Sequence, residues 1–400
     1  MVPVVATRLD PVNTNRRALF AVACVSLFTF GIVLTTLGAL LPSIIDRFGI
    51  DKAAAGSLFL LNTFGIVIGS VVFGPIADRN GYKEMLVGAT ALIIVGLEAI
   101  AFAPSMTVLR GAVLLTGFGG GIINGGANAL VADISVDGRT AGLSKLHVFF
   151  GAGAVGVPFA LGILLGKFTY SVLIAVVGAL CVIPLVITAV PRFPVPKQAQ
   201  GFPIATARAL LRDPVLLTFS VMLFLESGME ITVGGWTATF FKEELLITDQ
   251  RALIYLSLYW FGLMVGRMGL SAALHRIAPA RLLGVCITVA FGAAWVVITA
   301  HEPSFAALGV FLLGVGFSAT FPVVLGFVAD RHVALSGTAF SIAMVIALIG
   351  GMLLPYLTGV LGTLHGLRSS FLVVPMSLVL LAVLLGIASS RLQRHAAPAA

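Results

Sequence analysis

Charge is what this 400-residue chain has least of: Asp, Glu, Lys and Arg together make up 10% of it, against about 25% in an ordinary soluble domain. So little charge does not cover a water-exposed surface of this size. Cysteine is nearly absent. Cys24, Cys181 and Cys286 show no paired spacing and fall in apolar runs, so they are expected to be inert thiols, with no disulfide and no metal site. Catalytic signatures are missing as well. There is no His-Glu-x-x-His, no Gly-x-Ser-x-Gly and no nucleotide-binding loop, so neither an enzyme nor a cofactor is expected. A channel would need a ring of charged side chains or a filter segment, and neither can be made out.

Apolar length is what the chain has in excess. Hydrophobic residues make up 59% of it and the mean hydropathy is +1.11, the composition of a polytopic membrane protein. Crossing about 30 Å of hydrocarbon takes about 20 apolar residues in a helix. The runs predict six spans at Leu19–Ile45, Ala53–Ala77, Glu84–Phe102, Thr107–Ala132, Leu143–Leu165 and Ser171–Val190. Six more are predicted at Pro214–Phe241, Ala252–Leu274, Leu282–Ala300, Ser304–Val328, Gly337–Leu361 and Ser370–Ala388.

The two sets of six are copies of one unit. Shifting the chain by 197 residues brings Gly31, Thr35 and Gly38 onto Gly228, Thr232 and Gly235. The same shift takes Gly65 and Gly69 to Gly262 and Gly266, Arg79 to Arg276, and Gly117 and Gly119 to Gly314 and Gly316. It also takes Val131-Ala132-Asp133 to Val328-Ala329-Asp330, and Gly153, Pro158 and Gly162 to Gly350, Pro355 and Gly359. The expected fold is therefore an all-α membrane protein: residues 1–190 form one six-helix bundle, 191–213 a linker and 214–400 a second bundle. A repeated membrane unit encloses its site at the seam between copies.

Most of the 24 Lys and Arg fall on one side of these spans. Arg47, Lys52, Arg110, Lys167, Lys242, Arg251 and Arg368 fall on the other. The richer side is the cytoplasmic one, which places both termini in the cytoplasm. It also explains the net charge of +8 without a nucleic acid partner. The segment Pro191–Asp213 carries four prolines and a short Ala205–Leu211 piece, a cytoplasmic linker with an amphipathic stretch at the interface. The first apolar run follows Arg17 and is too long for a cleavable signal peptide, so none is expected.

Between spans 2 and 3 stands Gly74-Pro75-Ile76-Ala77-Asp78-Arg79-Asn80-Gly81-Tyr82-Lys83. It resembles the loop signature of the major facilitator superfamily, Gly-x-x-x-Asp-Arg-x-Gly-x-Lys, at the position that family requires. The resemblance extends to the whole chain through its twelve spans in two halves. It implies transport by alternating access, with Gly74, Asp78, Arg79, Gly81 and Lys83 forming a loop that latches the halves on the cytoplasmic side. The structural alternative is that Arg79 and Lys83 only set topology. The second copy has His275 opposite Asp78, so its own latch is degraded.

Polar residues inside spans are costly and therefore informative. Glu226 and Glu230, four residues apart on span 7, share a helix face with Met229, Val233, Trp236 and Thr237. Glu226 follows Asp213 by 13 residues, about 20 Å of helix and so near mid-membrane. A desolvated acid there suits reversible protonation, or Na⁺ binding when ionised; a structural acid paired with a buried donor is the alternative. The first copy has Thr29 and Val33 at these positions.

Asn124 and Asn128, again four apart on span 4, suit a hydroxylated ligand or, more plainly, an interhelical hydrogen bond. Thr35 can face a ligand or bond its own helix. Trp236 can stack on a sugar ring or anchor the helix at the interface. His147 can relay protons or pack. Asn62, Tyr259, Trp260 and Thr320 are weaker candidates, and Glu98 is expected to snorkel.

A narrower resemblance rests on Glu230-Ile231-Thr232-Val233-Gly234-Gly235-Trp236, Asn124 to Asn128, Leu146 to Gly153 and Gly350 to Pro355. These segments are similar to the fucose/glucose cation symporter branch, its sodium–glucose-like members above all. The resemblance implies Glu230 as a binding or coupling residue and Trp236 as a cavity residue. The acid of proton-coupled fucose carriers on span 1 is missing from Phe28–Leu41, and Asn124 stands in place of their span 4 acid. Coupling would then rest on span 7.

The expected function is a secondary active transporter of a small polar solute, a sugar first, coupled to H⁺ or Na⁺. Its substrate-contacting residues are Asn124, Asn128, Trp236 and Thr35, and its coupling residues are Glu230 and Glu226. A monomer in a bacterial cytoplasmic membrane is expected. A drug or metabolite/proton antiporter is the alternative, although Gly153-Ala154-Val155-Gly156-Val157-Pro158 only distorts the Gly-Pro motif of such exporters. A carrier-derived receptor or assembly factor is the non-transport alternative.

Overall fold

The computed structural model describes residues 16–134, 139–193, 210–331 and 336–396. Among them are 12 helices long and apolar enough to cross a membrane. In chain order, α1 is Arg16–Phe48, α2 Lys52–Asn80, α3 Tyr82–Ala101, α4 Met106–Ile134 and α5 Arg139–Leu164. Helix α6, Tyr170–Ala189, is interrupted at Cys181. Next come α7 Pro214–Glu244, α8 Asp249–Leu274 and α9 Pro279–Thr299. Helix α10 is built from Pro303–Phe317 and Thr320–Arg331, α11 is Ser336–His365, and α12 runs as Leu367–Ser370 and Val373–Ala396.

Each expected span coincides with one of these helices, with two corrections. Helices α1 and α7 overrun their apolar runs to Phe48 and Glu244, because their last turns carry charged side chains that find partners. The expected unbroken helices at Ser171–Val190, Ser304–Val328 and Ser370–Ala388 are instead interrupted at Cys181, at Ser318 and Ala319, and at Phe371 and Leu372, where Pro184, Pro322 and Pro375 have no N–H for the carbonyls of Leu180, Ser318 and Phe371. Of the expected linker, residues 194–209 fall outside the described residues, and most of the amphipathic Ala205–Leu211 piece with them.

Local chemistry sets the helix ends. Asp51 accepts from the Ala54 N–H at 2.7 Å to start α2, and Asp213 accepts from the Val215 N–H at 2.8 Å to start α7, with Pro214 in its first turn. Helix α2 ends at Gly81, whose φ of +85° is a conformation that a side chain opposes. The Gly81 N–H bonds the Ala77 carbonyl at 2.9 Å, and α3 starts at the next residue.

The repeated glycines are the places where helices cross most closely. A methyl on Gly31 or Gly153 would strike the backbone of α5 or α1, respectively. Their repeat mates Gly228 and Gly350 hold α7 against α11 in the same way. Gly117 lies on the Asn62 carbonyl and Gly314 on the Tyr259 carbonyl, again one repeat apart, joining α4 to α2 and α10 to α8. Small residues permit such approach, and in lipid close packing is the main source of helix association.

One pair of caps keeps the symmetry while changing the residue. Arg47 Nη2 donates to the Ala103 carbonyl at 2.7 Å, beyond the end of α3. At the end of α9, Arg368 Nη1 donates to the carbonyls of Ile298 and Ala300 at 2.7 and 2.8 Å. Residue 300 is the repeat mate of 103, but 368 is not that of 47. That mate is Glu244, which lies 3.5 Å from Arg368.

The seam between the halves closes at one end. Call the end from which α1 starts proximal and the opposite end distal. Distally, Gly38 of α1 meets the backbone of Gly234 and Gly235 on α7. Gly56 of α2 meets Tyr356 and Gly359 on α11, and Gly162 of α5 meets Gln250 and Ile254 on α8. Lys242 joins Asp46 at 2.5 Å and Asp249 at 3.0 Å, and Lys52 joins Glu243 at 2.8 Å. Toward the proximal end α5 exposes His147, Val148 and Phe149 in succession, and α8 exposes Met268 and Gly269. Three consecutive exposed residues cover about 200° of a helix, so α5 is uncovered there over about half of its circumference while Leu146 and Phe150 stay buried on the other side.

Candidate transport site

At mid-height, α7 and α8 bring two acids and one base together. Glu226 is 1% exposed and Glu230 9%, and they stack on one face of α7 as their spacing predicts. Arg267 of α8 donates from Nη2 to Glu230 Oε2 at 3.0 Å. Tyr259, eight residues earlier on α8, donates its O–H to the Glu230 backbone carbonyl at 3.1 Å. Its ring lies 5.1 Å from that of Trp260, which packs against Gly234. Gly234 is one turn beyond Glu230 and touches α1 at Gly38. The cluster thus sits directly proximal to the closed end of the seam. Across the seam, Gly151 of α5 lies against Met264 of α8. His147, one turn proximal on α5, is within electrostatic reach of Arg267, and its Nδ1 lies 2.8 Å from the Leu143 carbonyl.

This cluster is incompletely satisfied. Among the described residues, Glu226 Oε1, Trp260 Nε1 and Arg267 Nε are buried without a hydrogen-bond partner. Buried polar groups normally have one, and a low-dielectric site makes each lack costly. Two carboxyl groups face one guanidinium, so one proton on the pair of acids neutralises the group. A site of this composition can take up and release a proton where charge is otherwise expensive.

The other expected residues lie elsewhere. Asn128 Nδ2 donates to the Asn124 backbone carbonyl at 2.8 Å and to its Oδ1 at 3.2 Å, so these two half-buried amides bond each other along α4. They follow Gly120, which faces Phe30 and Val33 of α1, and Gly121, which lies on Ile66 of α2, along the face between those helices. Thr35 donates to the Gly31 carbonyl of its own helix at 3.0 Å. Trp236 is 0% exposed, donates from Nε1 to the Pro355 carbonyl of α11 at 2.9 Å, and stands 6.1 Å from the Phe59 ring of α2. In this arrangement its indole is part of the distal seal.

In the loop signature, Gly74 faces open space, Arg79 is exposed, and Lys83 is half-buried. The side chain of Asp78 lies outside the described residues. Tyr82, inside the signature, donates its O–H to Asp133 at 2.7 Å, tying the loop to α4.

Arg267 is the residue that sequence reasoning passes over. Lys and Arg weigh as topology markers, and that hides a cation lying within a span. The repeat itself carries the missing signal: Ser70 is the mate of Arg267 and Asn62 that of Tyr259, so both are positions of broken symmetry.

An all-α membrane protein built from a repeated six-helix unit, with a charged cluster at its seam, belongs to the class of solute carriers. The chain is a member of the Major Facilitator Superfamily, whose profile matches residues 23–334. It is 25% identical over 316 residues to the 4-hydroxybenzoate transporter PcaK of Pseudomonas aeruginosa, covering 68% of each chain. It is 26% identical over 317 residues to a putative glucose/galactose transporter of Helicobacter pylori, covering 74% of this chain and 72% of the relative. Its fold is similar to that of the solved nucleoside transporter NupG, with a TM-score of 0.77 at 16% identity over 93% of this chain and 98% of that one. The protein is therefore a transporter of a small solute and a multi-pass membrane protein.

Proposed function

We propose that the chain is a proton-coupled secondary carrier that moves a small polar solute by alternating access, its halves rocking about the seam. The observation that carries this reading is the Glu230–Arg267 ion pair with buried Glu226 beside it, one of whose carboxyl oxygens has no partner among the described residues, next to the α1–α7 contact that rocking would have to break. Moving the halves changes what surrounds the cluster, and with it the cost of its charge, which is how a proton gradient can do work on a conformational equilibrium. A proton suits the cluster better than Na⁺. The guanidinium of Arg267, 3.0 Å from Glu230, repels a second cation held there, whereas a proton bonds to the carboxylate and removes its charge.

Asn124 and Asn128 contribute polar groups from the opposite half. The loop from Gly74 to Lys83 joins the halves when the proximal end closes. Both termini face the cytoplasm, as the Lys and Arg distribution favours, and the protein works as a monomer in a bacterial cytoplasmic membrane. A hexose, favoured by the motif resemblance and by the name of the Helicobacter relative, and an aromatic acid, favoured by that of PcaK, are the first solutes to test.

The experiment is uptake of labelled glucose and labelled benzoate into proteoliposomes under an imposed pH gradient. Wild type accumulates one of them. Glu230→Gln loses gradient-driven uptake by about a hundredfold or more, the usual size of a lost proton-transfer group, yet keeps exchange between equal solute pools. Undiminished concentrative uptake by Glu230→Gln removes Glu230 from the coupling role.

A further inference from the structure

We infer that the solute carried is an organic anion bearing a carboxylate, and that it docks on Arg267 in exchange for Glu230. This rests on the carrier reading above and names its substrate class.

The argument begins with the hydrogen-bond inventory of Arg267. A guanidinium has five N–H donors in a rigid fork. Among the described residues Arg267 forms one bond, from Nη2 to Glu230, and its buried Nε–H has no acceptor. About two turns earlier on α8, Trp260 carries another buried N–H without an acceptor among the described residues, on a residue 2% exposed. An unmet, buried Nε–H on a guanidinium that makes one of its five hydrogen bonds among the described residues calls for a ligand rich in acceptors. The side of a guanidinium that includes Nε–H takes a carboxylate through two parallel hydrogen bonds, the strongest neutralising contact available to it. A sugar hydroxyl could meet one donor, but it leaves the charge balance untouched.

Charge balance supplies the second argument. In this structure Glu230 neutralises Arg267. An incoming carboxylate replaces it, and Glu230, 9% exposed and beside Glu226, is left without a counter-charge and takes a proton. The step is RCOO⁻ plus H⁺ entering together: the Glu230–Arg267 pair is exchanged for a substrate–Arg267 pair and a neutral Glu230 acid. The net charge of the site is the same before and after. Binding of the anion therefore requires the proton, and symport follows from the site's electroneutrality. The titratable and charged groups facing this exchange are Glu226 on α7, Tyr259 and Arg267 on α8, and His147 on α5. Arg267 keeps 22% of its side chain accessible, so the guanidinium can be reached.

The test uses matched pairs that differ only in the charge of one group: benzoate against benzamide, and gluconate against glucose. Binding to purified wild type is measured by calorimetry in buffers of different ionisation heat, which reports proton uptake. The expectation is that a carboxylate binds about tenfold or more tighter than its neutral partner, with uptake of a proton. Arg267→Gln abolishes this binding, while Arg267→Lys retains part of it. Glu230→Gln binds the carboxylate without proton uptake.

Binding of a neutral member as tight as that of its carboxylate overturns the anion class, and so does unchanged carboxylate binding by folded Arg267→Gln. Silence from both carboxylates likewise counts against it. Gradient-driven uptake of glucose with no carboxylate binding would overturn this inference alone and leave the carrier reading standing.

Discussion

A single methyl added at Gly38 would act on one conformation of the protein only. Gly38 meets the backbone of Gly234 and Gly235 across the seam, and a Cβ there would overlap main-chain atoms that have no rotamer with which to retreat. Overpacking of this kind costs about 1–3 kcal/mol. The contact joins the halves at the distal end, so the cost falls on the distally closed state and is absent when that end opens. At 1.4 kcal/mol per factor of ten, Gly38→Ala shifts the equilibrium toward distal opening by roughly 5- to 150-fold. Gly31→Ala is the control: Gly31 is packed equally tightly, but against α5 within its own half, so its methyl destabilises both states alike. The assay is the distance between spin labels at Lys167 and Thr248, both exposed in distal loops of opposite halves, in a variant lacking the native cysteines. Gly38→Ala should lengthen the dominant distance, whereas Gly31→Ala should lower thermal stability without moving it. An unchanged distance in Gly38→Ala, or the same shift in both variants, would refute the assignment of a distal seal that opens.

Three further outcomes are expected. Gly81→Ala places a side chain at φ +85° and should cost about 1–3 kcal/mol, seen as a lower melting temperature in detergent; an unaltered melting temperature contradicts the turn geometry. Lys242→Gln removes the ion pairs to Asp46 and Asp249, which are partly exposed and worth about 1 kcal/mol or less each. Its effect on the Lys167–Thr248 distance should be small and should vanish in high salt, and a large salt-independent shift would mean that Lys242 does more than pair. Arg368→Ala strips two carbonyls at the end of α9 of their donor and should cost about 1–3 kcal/mol, as should Arg47→Ala at the end of α3; a cost confined to one of them breaks the proposed equivalence.

The fold was legible because it rests on features that sequence displays directly. Apolar length marks the spans, and the spacing of Gly31, Gly153, Gly228 and Gly350 marks the same crossing in both halves. Glu226 and Glu230 were legible for a similar reason, since an acid in an apolar run stands out against its surroundings. Their partner was not. Helical periodicity tells which residues share a face but not which helix lies opposite, and Arg267 becomes conspicuous only when α8 is set against α7. Trp236 shows the same limit, because its hydrogen bond to Pro355 spans 119 residues and no local pattern announces it. The break in α10 was legible but easily overlooked: Pro322 has no N–H for the carbonyl of Ser318, so the helix stops at Phe317 and resumes at Thr320.

The central claim is that the Glu226–Glu230–Arg267 cluster ties solute movement to proton movement. It is tested most directly by a pH-sensitive dye trapped inside proteoliposomes, recording internal pH while a solute gradient alone drives transport. The account predicts that solute entry acidifies the lumen in wild type, and that Glu230→Gln exchanges solute with no pH change. Acidification by Glu230→Gln at the wild-type rate per solute moved would contradict it.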